Sequence, residues 1–272
     1  MLKKRLIATL LARHGRIVQS IRFAHTNVIG NAITAVDFFN TWAVDEIVLL
    51  DVSRDQEFRE PFGQIVRDLS ERCFVPLTVG GWISRPEHVR TFLQLGADKV
   101  VINTEAYRQE ELVATCARTF GSQCIVVSMD VRRDQEGRYE VIVDRGRQPT
   151  GLDPLSWARI VEERGAGEIY LTSIDQDGSR QGFDLELTRR VAEGVGVPVI
   201  ASGGVGNWQH LVDGITRGGA AAVSAANIFH FTEHSTKKAK EYMVQQQVEM
   251  RETVFFKNLT QRKPKYEVQY RV

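Results

Sequence analysis

Val75-Pro76-Leu77-Thr78-Val79-Gly80-Gly81 and Val197-Pro198-Val199-Ile200-Ala201-Ser202-Gly203-Gly204 are two versions of one phrase: an apolar run that ends in a glycine pair. Asp45-Glu46-Ile47-Val48-Leu49-Leu50-Asp51 precedes the first as Gly167-Glu168-Ile169-Tyr170-Leu171-Thr172-Ser173 precedes the second. Leu95-Gly96-Ala97-Asp98-Lys99-Val100 follows the first as Gly218-Gly219-Ala220-Ala221-Ala222-Val223 follows the second. Self-similarity at a fixed offset marks an architecture made of repeated units. Strand-like runs at 5–11, 46–51, 75–79, 99–103, 124–130, 168–173, 198–202 and 221–226 alternate with helical patterns at 31–42, 62–73, 86–95, 110–120, 154–164, 185–193, 208–217 and 236–246. Near-continuous apolar strands suit a parallel sheet covered on both faces. Eight such units in 272 residues suit one α/β domain, a (β/α)8 TIM barrel with a two-fold half-barrel repeat. The barrel is assigned residues 1–247 and a C-terminal extension residues 248–272. That extension is a solvated end or, less favoured, a docking arm for a partner.

Composition is that of a globular protein, with 43% hydrophobic and 25% charged residues. A formal net charge of +1 gives no reason to expect nucleic acid as a partner. Cys73, Cys116 and Cys124 share no metal-like spacing, so no metal and no cofactor are expected, and reduced thiols fit a cytoplasmic setting. Met1-Leu2-Lys3-Lys4-Arg5 leads into an apolar run that reads as a strand rather than a signal peptide. No stretch is long and apolar enough to suggest a membrane span.

In such barrels ligands bind at the carboxyl ends of the strands. Gly80-Gly81 and Gly203-Gly204 close the third and seventh strands, Asn103-Thr104 follows the fourth, and Asn227 follows the eighth. Glycine lets backbone approach an anion, and helix-start N–H groups can hold phosphate, so, beyond the plainer reading of tight turns, two matching sites suit a ligand with two phosphates or a diphosphate. Asp130 ends the fifth strand, as a general acid–base or as a structural cap. Asp51, Asp175 and Asp177 lie near the same rim, and Asp177-Gly178 also reads as turn chemistry. At the opposite face Arg5, Glu46, Lys99 and Glu168 begin four strands. Features there usually serve stability, although a ring of alternating charge could instead close an axial passage.

At these residues the chain resembles the cyclase subunit family of imidazole glycerol phosphate synthase, from Met1 to about Phe231. Lys4-Arg5-Leu6-Ile7-Ala8, Phe120-Gly121-Ser122-Gln123, Leu171-Thr172-Ser173-Ile174-Asp175 and Ile228-Phe229-His230-Phe231 carry the resemblance, together with the glycine-pair strands. It implies a glutaminase partner at the amino-terminal face, whose ammonia passes through the barrel to a phosphorylated ligand. It also implies that Arg5, Glu46, Lys99 and Glu168 form a gate to that passage, against the stability reading, and that Asp98 belongs to the partner interface. Phosphate binding carries over to Gly81, Asn103, Thr104, Asp177, Gly178, Gly203, Gly204, Ala226 and Asn227, and catalysis to Asp130.

Three departures matter. The family's cyclase pairs two aspartates, and the place matching Asp130 in the first half is Leu11. Gln19 stands for a lysine of the substrate site, and Trp82 for a third glycine of the phosphate loop, there to pack the loop or to stack on a sugar or base. General acid–base help is worth roughly two to four orders of magnitude, so Leu11 should cripple the original cyclisation. Leu10-Leu11, His14-Gly15-Arg16, Gln19-Ser20-Ile21-Arg22-Phe23 and Arg59-Glu60-Pro61-Phe62 resemble a branch that accompanies sugar amidotransferases in surface-polysaccharide (O-antigen) synthesis. That branch implies a subunit relaying ammonia to amidation of a nucleotide-linked sugar. The alternatives are a cyclase (a lyase) of histidine biosynthesis, with Asp51 or Asp177 standing in for the missing aspartate, and a non-catalytic scaffold with a vestigial phosphate site.

Overall fold

A computed structural model describes residues 3–35, 44–53, 56–230 and 235–252. Twelve strands are present among them: β1 (Arg5–Arg13), β2 (Arg16–Ile21), β3 (His25–Gly30), β4 (Glu46–Asp51), β5 (Leu77–Gly80), β6 (Lys99–Ile102), β7 (Ile125–Arg133), β8 (Tyr139–Val143), β9 (Gln148–Pro149), β10 (Glu168–Ser173), β11 (Val199–Ser202) and β12 (Ala222–Ala225). Eight of them, β1, β4, β5, β6, β7, β10, β11 and β12, pair in parallel, and β7 bonds to β10 to close the barrel. These are the eight expected strands, within a few residues at their ends.

Helices Arg59–Arg72, Pro86–Gln94, Leu112–Phe120, Pro154–Glu163, Leu185–Ala192, Trp208–Thr216 and Ser235–Gln245 match seven of the eight expected. For the remaining one, residues 32–35 are helical and 36–43 lie outside the described residues. Asp153 caps the helix that Pro154 opens, its carboxylate accepting from the Ser156 N–H. Ser84 does not cap the earlier proline-led helix, Pro86–Gln94, whose N-cap position is held by Arg85 without a side-chain bond.

Two hairpins break the simple alternation, and both grow from the first strand of a half-barrel. β1 runs on past Leu11 and folds back as β2 through His14 and Gly15, at φ 50° and 76°. Two residues at positive φ make the tight turn that matches strand twist. β3 then pairs antiparallel with β2. In the second half β7 runs to Arg133, β8 pairs back on it, and β9 pairs with β8.

Strand period divides the side chains between two cores. Leu6, Ala8 and Leu10 of β1 face the helices and join the large outer cluster. Ile7 faces inward and meets Val48, Val101, Val126, Tyr170, Ile200 and Ala222, all buried, in a layer across the barrel.

The chain's last described helix and the residues after it pack at the amino-terminal end. Lys240, on helix Ser235–Gln245, places its ammonium 2.6 Å from Asp45, with side-chain exposures of 4% and 3%. The other Asp45 oxygen accepts from the Leu6 N–H at 2.8 Å. Val248 and Met250 are buried, and Met250 bridges Lys4 in parallel. The rest of the extension, from 253, lies outside the described residues. Removing one member of a buried pair strands the other charge, at a cost of about 3–5 kcal/mol. Asp45→Ala should therefore lower unfolding stability in urea by about that amount, and adding Lys240→Met should recover most of it. A loss below about 1 kcal/mol would show the pair to be dispensable.

Candidate functional site

Inward-facing residues stack in levels because each strand contributes every second residue. The lowest level is Arg5, Glu46, Lys99 and Glu168, and they form a closed ring. Arg5 meets Glu46 at 2.8 Å and Glu168 at 2.9 Å, while Lys99 meets Glu46 at 3.2 Å and Glu168 at 3.1 Å. Thr78 adds a hydroxyl to Glu46 at 2.7 Å. Burial disfavours the Arg5 charge, but Glu46 and Glu168 outweigh it and raise its pKa. Asp98, beside the ring, accepts from the Leu77 N–H at 2.9 Å.

Above the ring lies the apolar layer, and above that the floor of a cavity of about 770 Å³ at the carboxyl ends of the strands. Leu11, Gly81, Asn103, Thr104, Asp130, Asp177, Gly178, Gly203, Gly204, Ala226 and Asn227 all line it. Gln19 does not; it sits on β2 opposite Asn27.

The glycine pairs are required by geometry. Gly81 has φ 120°, Gly203 95° and Gly204 98°. A Cβ on Gly204 would lie 2.1 Å from the Gly182 carbonyl oxygen, so no side chain fits. Trp82, at the place matching Gly204, takes φ 62° and turns its indole inward, donating to Asp51 at 2.6 Å. Arg145 lies over the Trp82 ring at 5.7 Å. Trp82 is thus packed into its loop, and it also lines the cavity. Asp51 is engaged on both sides, since the Ser53 N–H donates to its other oxygen at 2.8 Å.

Asp177 is engaged too. Its carboxylate accepts from the Ser20 hydroxyl at 2.7 Å and the Phe23 N–H at 3.3 Å, which latches the β2–β3 hairpin onto the loop after β10. Asp175 accepts from the Arg133 N–H at 2.9 Å. The Thr104 hydroxyl accepts from the Asp144 N–H at 3.0 Å. Asn227 Oδ1 is buried in the cavity wall with no partner among the described residues.

Asp130 stands apart. It is 4% exposed and takes one hydrogen bond, from Asn103 Nδ2 at 2.7 Å. Burial pushes its pKa up to about 7, against the Asn103 bond, and Asp177 adds to the rise. A carboxyl poised there can give or take a proton near neutrality. The register fixes its counterpart: Asp130 pairs with Thr172, and Leu11 pairs with Leu50. Thr172 and Leu50 are the same place in the two halves, so Leu11 holds the position of Asp130.

Two features escape the sequence reading. Arg13, Arg59, Arg108, Arg145, Arg147 and Arg180 line the cavity, and among the described residues only Arg108 pairs with a carboxylate, Glu105 at 3.4 Å. Arg145 and Arg147 sit in the β8–β9 turn and Arg13 ends β1 at the β1–β2 turn, and Gly146 and Gly15 are the signals that mark those turns. The second feature is a set of inward hydroxyls, Thr9, Tyr170, Ser202 and Ser224, in the cavity floor. They sit in apolar runs and are visible only once the strand register is known.

A closed (β/α)8 barrel with a glycine-rich, arginine-lined cavity at one face and a charged ring at the other is a cyclase-like barrel. The chain matches the family described as "Histidine biosynthesis protein" over residues 5–235, and it belongs to that family. Among the described residues no helix is long and apolar enough to cross a membrane.

Asp130 predicts a pH dependence with a definite sign. Its folded-state pKa, about 7, lies above the ordinary 3.8, so the folded chain keeps a proton that the unfolded chain releases. Its contribution to stability is complete below about pH 4 and is lost as pH rises through about 7. In urea unfolding across that window, Asp130→Asn should show a flatter stability–pH curve than the wild type. Superimposable slopes would mean that Asp130 titrates normally.

Proposed function

We propose that this barrel relays ammonia from a glutaminase, docked at the amino-terminal face around Asp98, to the amidation of a nucleotide-linked sugar by a sugar amidotransferase in surface-polysaccharide synthesis. The observation that carries the reading is an asymmetry: the charged ring is complete, while the acid–base pair is half gone, with Leu11 in the register place of Asp130. A ring of buried ion pairs contributes little net stability, so folding alone does not explain its completeness. Family members typically work with a glutaminase, which fits a ring kept as a gate.

At the other face, the cradle of Gly81, Asn103 and Thr104 and that of Asp177, Gly178, Gly203, Gly204, Ala226 and Asn227 would receive phosphates. Five arginines without a carboxylate partner among the described residues supply countercharge for a ligand such as a nucleoside diphosphate. Asp130 then assists proton transfer at a single point rather than as one of a pair.

The histidine-pathway cyclase reading needs a second carboxylate. Asp51 is tied through both oxygens to Trp82 and Ser53, and Asp177 through one oxygen to Ser20 and Phe23, which argues against either replacing the missing aspartate. A cavity that retains a carboxyl titrating near neutrality argues against a purely vestigial site.

Two measurements test the proposal. A histidine auxotroph lacking its own cyclase should not grow on this chain supplied with a glutaminase subunit; growth would establish the cyclase instead. In a reconstituted mixture of glutaminase, amidotransferase and nucleotide sugar, omitting this chain should cut glutamine-driven product at least tenfold. Equal product without it would remove the relay.

A further inference from the structure

Between the charged ring and the cavity stands one large side chain that the relay has to pass. Tyr170 of β10 is buried among Ile7, Val48, Val101, Val126, Ile200 and Ala222, the layer that fills the barrel just above the ring. Its hydroxyl leaves that layer upward and lies 2.8 Å from Thr9 Oγ1, 2.9 Å from Ser202 Oγ and 3.0 Å from Ser224 Oγ. Thr9 and Ser224 are themselves 2.6 Å apart. The four hydroxyls come from β10, β11, β12 and β1, successive strands of the closed sheet. Thr9 is thus three strands round from Tyr170, close to the far side of an eight-stranded barrel. A side chain that starts on β10 and ends at β1 crosses the barrel interior. The ring lies across the barrel axis below, and the phenol lies across it again at mid-height.

We propose that Tyr170 is an inner gate, latched by Thr9, Ser202 and Ser224, that separates the ring from the cavity until a ligand occupies the cavity. The inference rests on the relay reading and deepens it. Its chemistry follows from hydrogen-bond arithmetic. A phenol donates one hydrogen bond and accepts others, and each hydroxyl in the set can turn to complete the network. The latch is neutral and rearranges without moving a buried charge, unlike the ring. Its partners also reach the ligand face: Ser202 is followed directly by Gly203-Gly204, and Ser224 lies two residues before Ala226-Asn227. Strand ends that shift to close on a ligand would draw Ser202 and Ser224 away from the phenol. Ammonia then meets an open interior only when something in the cavity awaits it.

Tyr170 is therefore a positioning residue, and its signature is coupling rather than rate. The test uses the complete complex with glutaminase, amidotransferase and a nucleotide-linked N-acetylated sugar, and reads amidated sugar formed per glutamine hydrolysed. The same product is measured with ammonium chloride replacing glutamine. Tyr170→Leu shortens the side chain and removes the hydroxyl, and should lower product per glutamine at least fivefold as ammonia leaks. Tyr170→Phe keeps the ring and loses only the latch, and should lower it about twofold, which keeps the test decisive if the leucine variant folds poorly. The ratio staying at the wild-type value in the phenylalanine variant, and in any folded leucine variant, would overturn the gate and leave the relay intact. A wild-type complex that makes product from ammonium chloride but none from glutamine would overturn the relay, and the gate with it.

Discussion

Closure of β7 onto β10 is the bond on which the rest depends. A closed parallel sheet gives each strand an inside and an outside, and the two-residue period then decides where every side chain goes. Ring, apolar layer, hydroxyl floor and cavity are one sequence of inward residues read up each strand: Arg5, Ile7, Thr9 and Leu11 on β1, and Glu168, Tyr170 and Thr172 on β10. Slipping one strand by one residue would turn its inward set toward the helices and break all four levels together.

The same closure sets the electrostatics. Burial holds the Asp130 carboxyl protonated up to about pH 7, whereas in the ring each cation has two anions within reach. The Tyr170 hydroxyl, buried between them, needs no ionic partner because three hydroxyls satisfy it. Charge is confined to the two ends of the axis, and the middle is neutral. A small uncharged solute such as ammonia suits that interior better than an ammonium ion, whose desolvation there would be costly.

Much of this is legible in the sequence. The eight barrel strands are apolar runs punctuated by glycine, and the half-barrel repeat identifies Leu11 as the odd partner of Asp130 before any register is known. The ten cavity positions named from strand ends and from the family resemblance do gather in one place. What is not legible depends on turns and on depth. His14-Gly15 reads as the end of a run but is a hairpin turn, so β2, β3, β8 and β9 go unseen, along with the cavity arginines beside their turns, Arg13, Arg145 and Arg147. Trp82 offers both packing and stacking from its side chain alone, and its bond to Asp51 is visible only in the structure. Tyr170 hides because an aromatic residue in a strand is ordinary core until three hydroxyls are found around its oxygen.

An isotope experiment puts the central claim to the most direct test. Glutamine labelled with 15N at the side-chain amide is supplied to the complete complex in the presence of excess unlabelled ammonium, and the amidated sugar is analysed by mass spectrometry. Passage through the barrel predicts that most of the product carries 15N when this chain is present, and that the label falls to the bulk ratio when the ring is opened by Glu46→Ala. Product labelled only at the bulk ratio with the intact chain would contradict it.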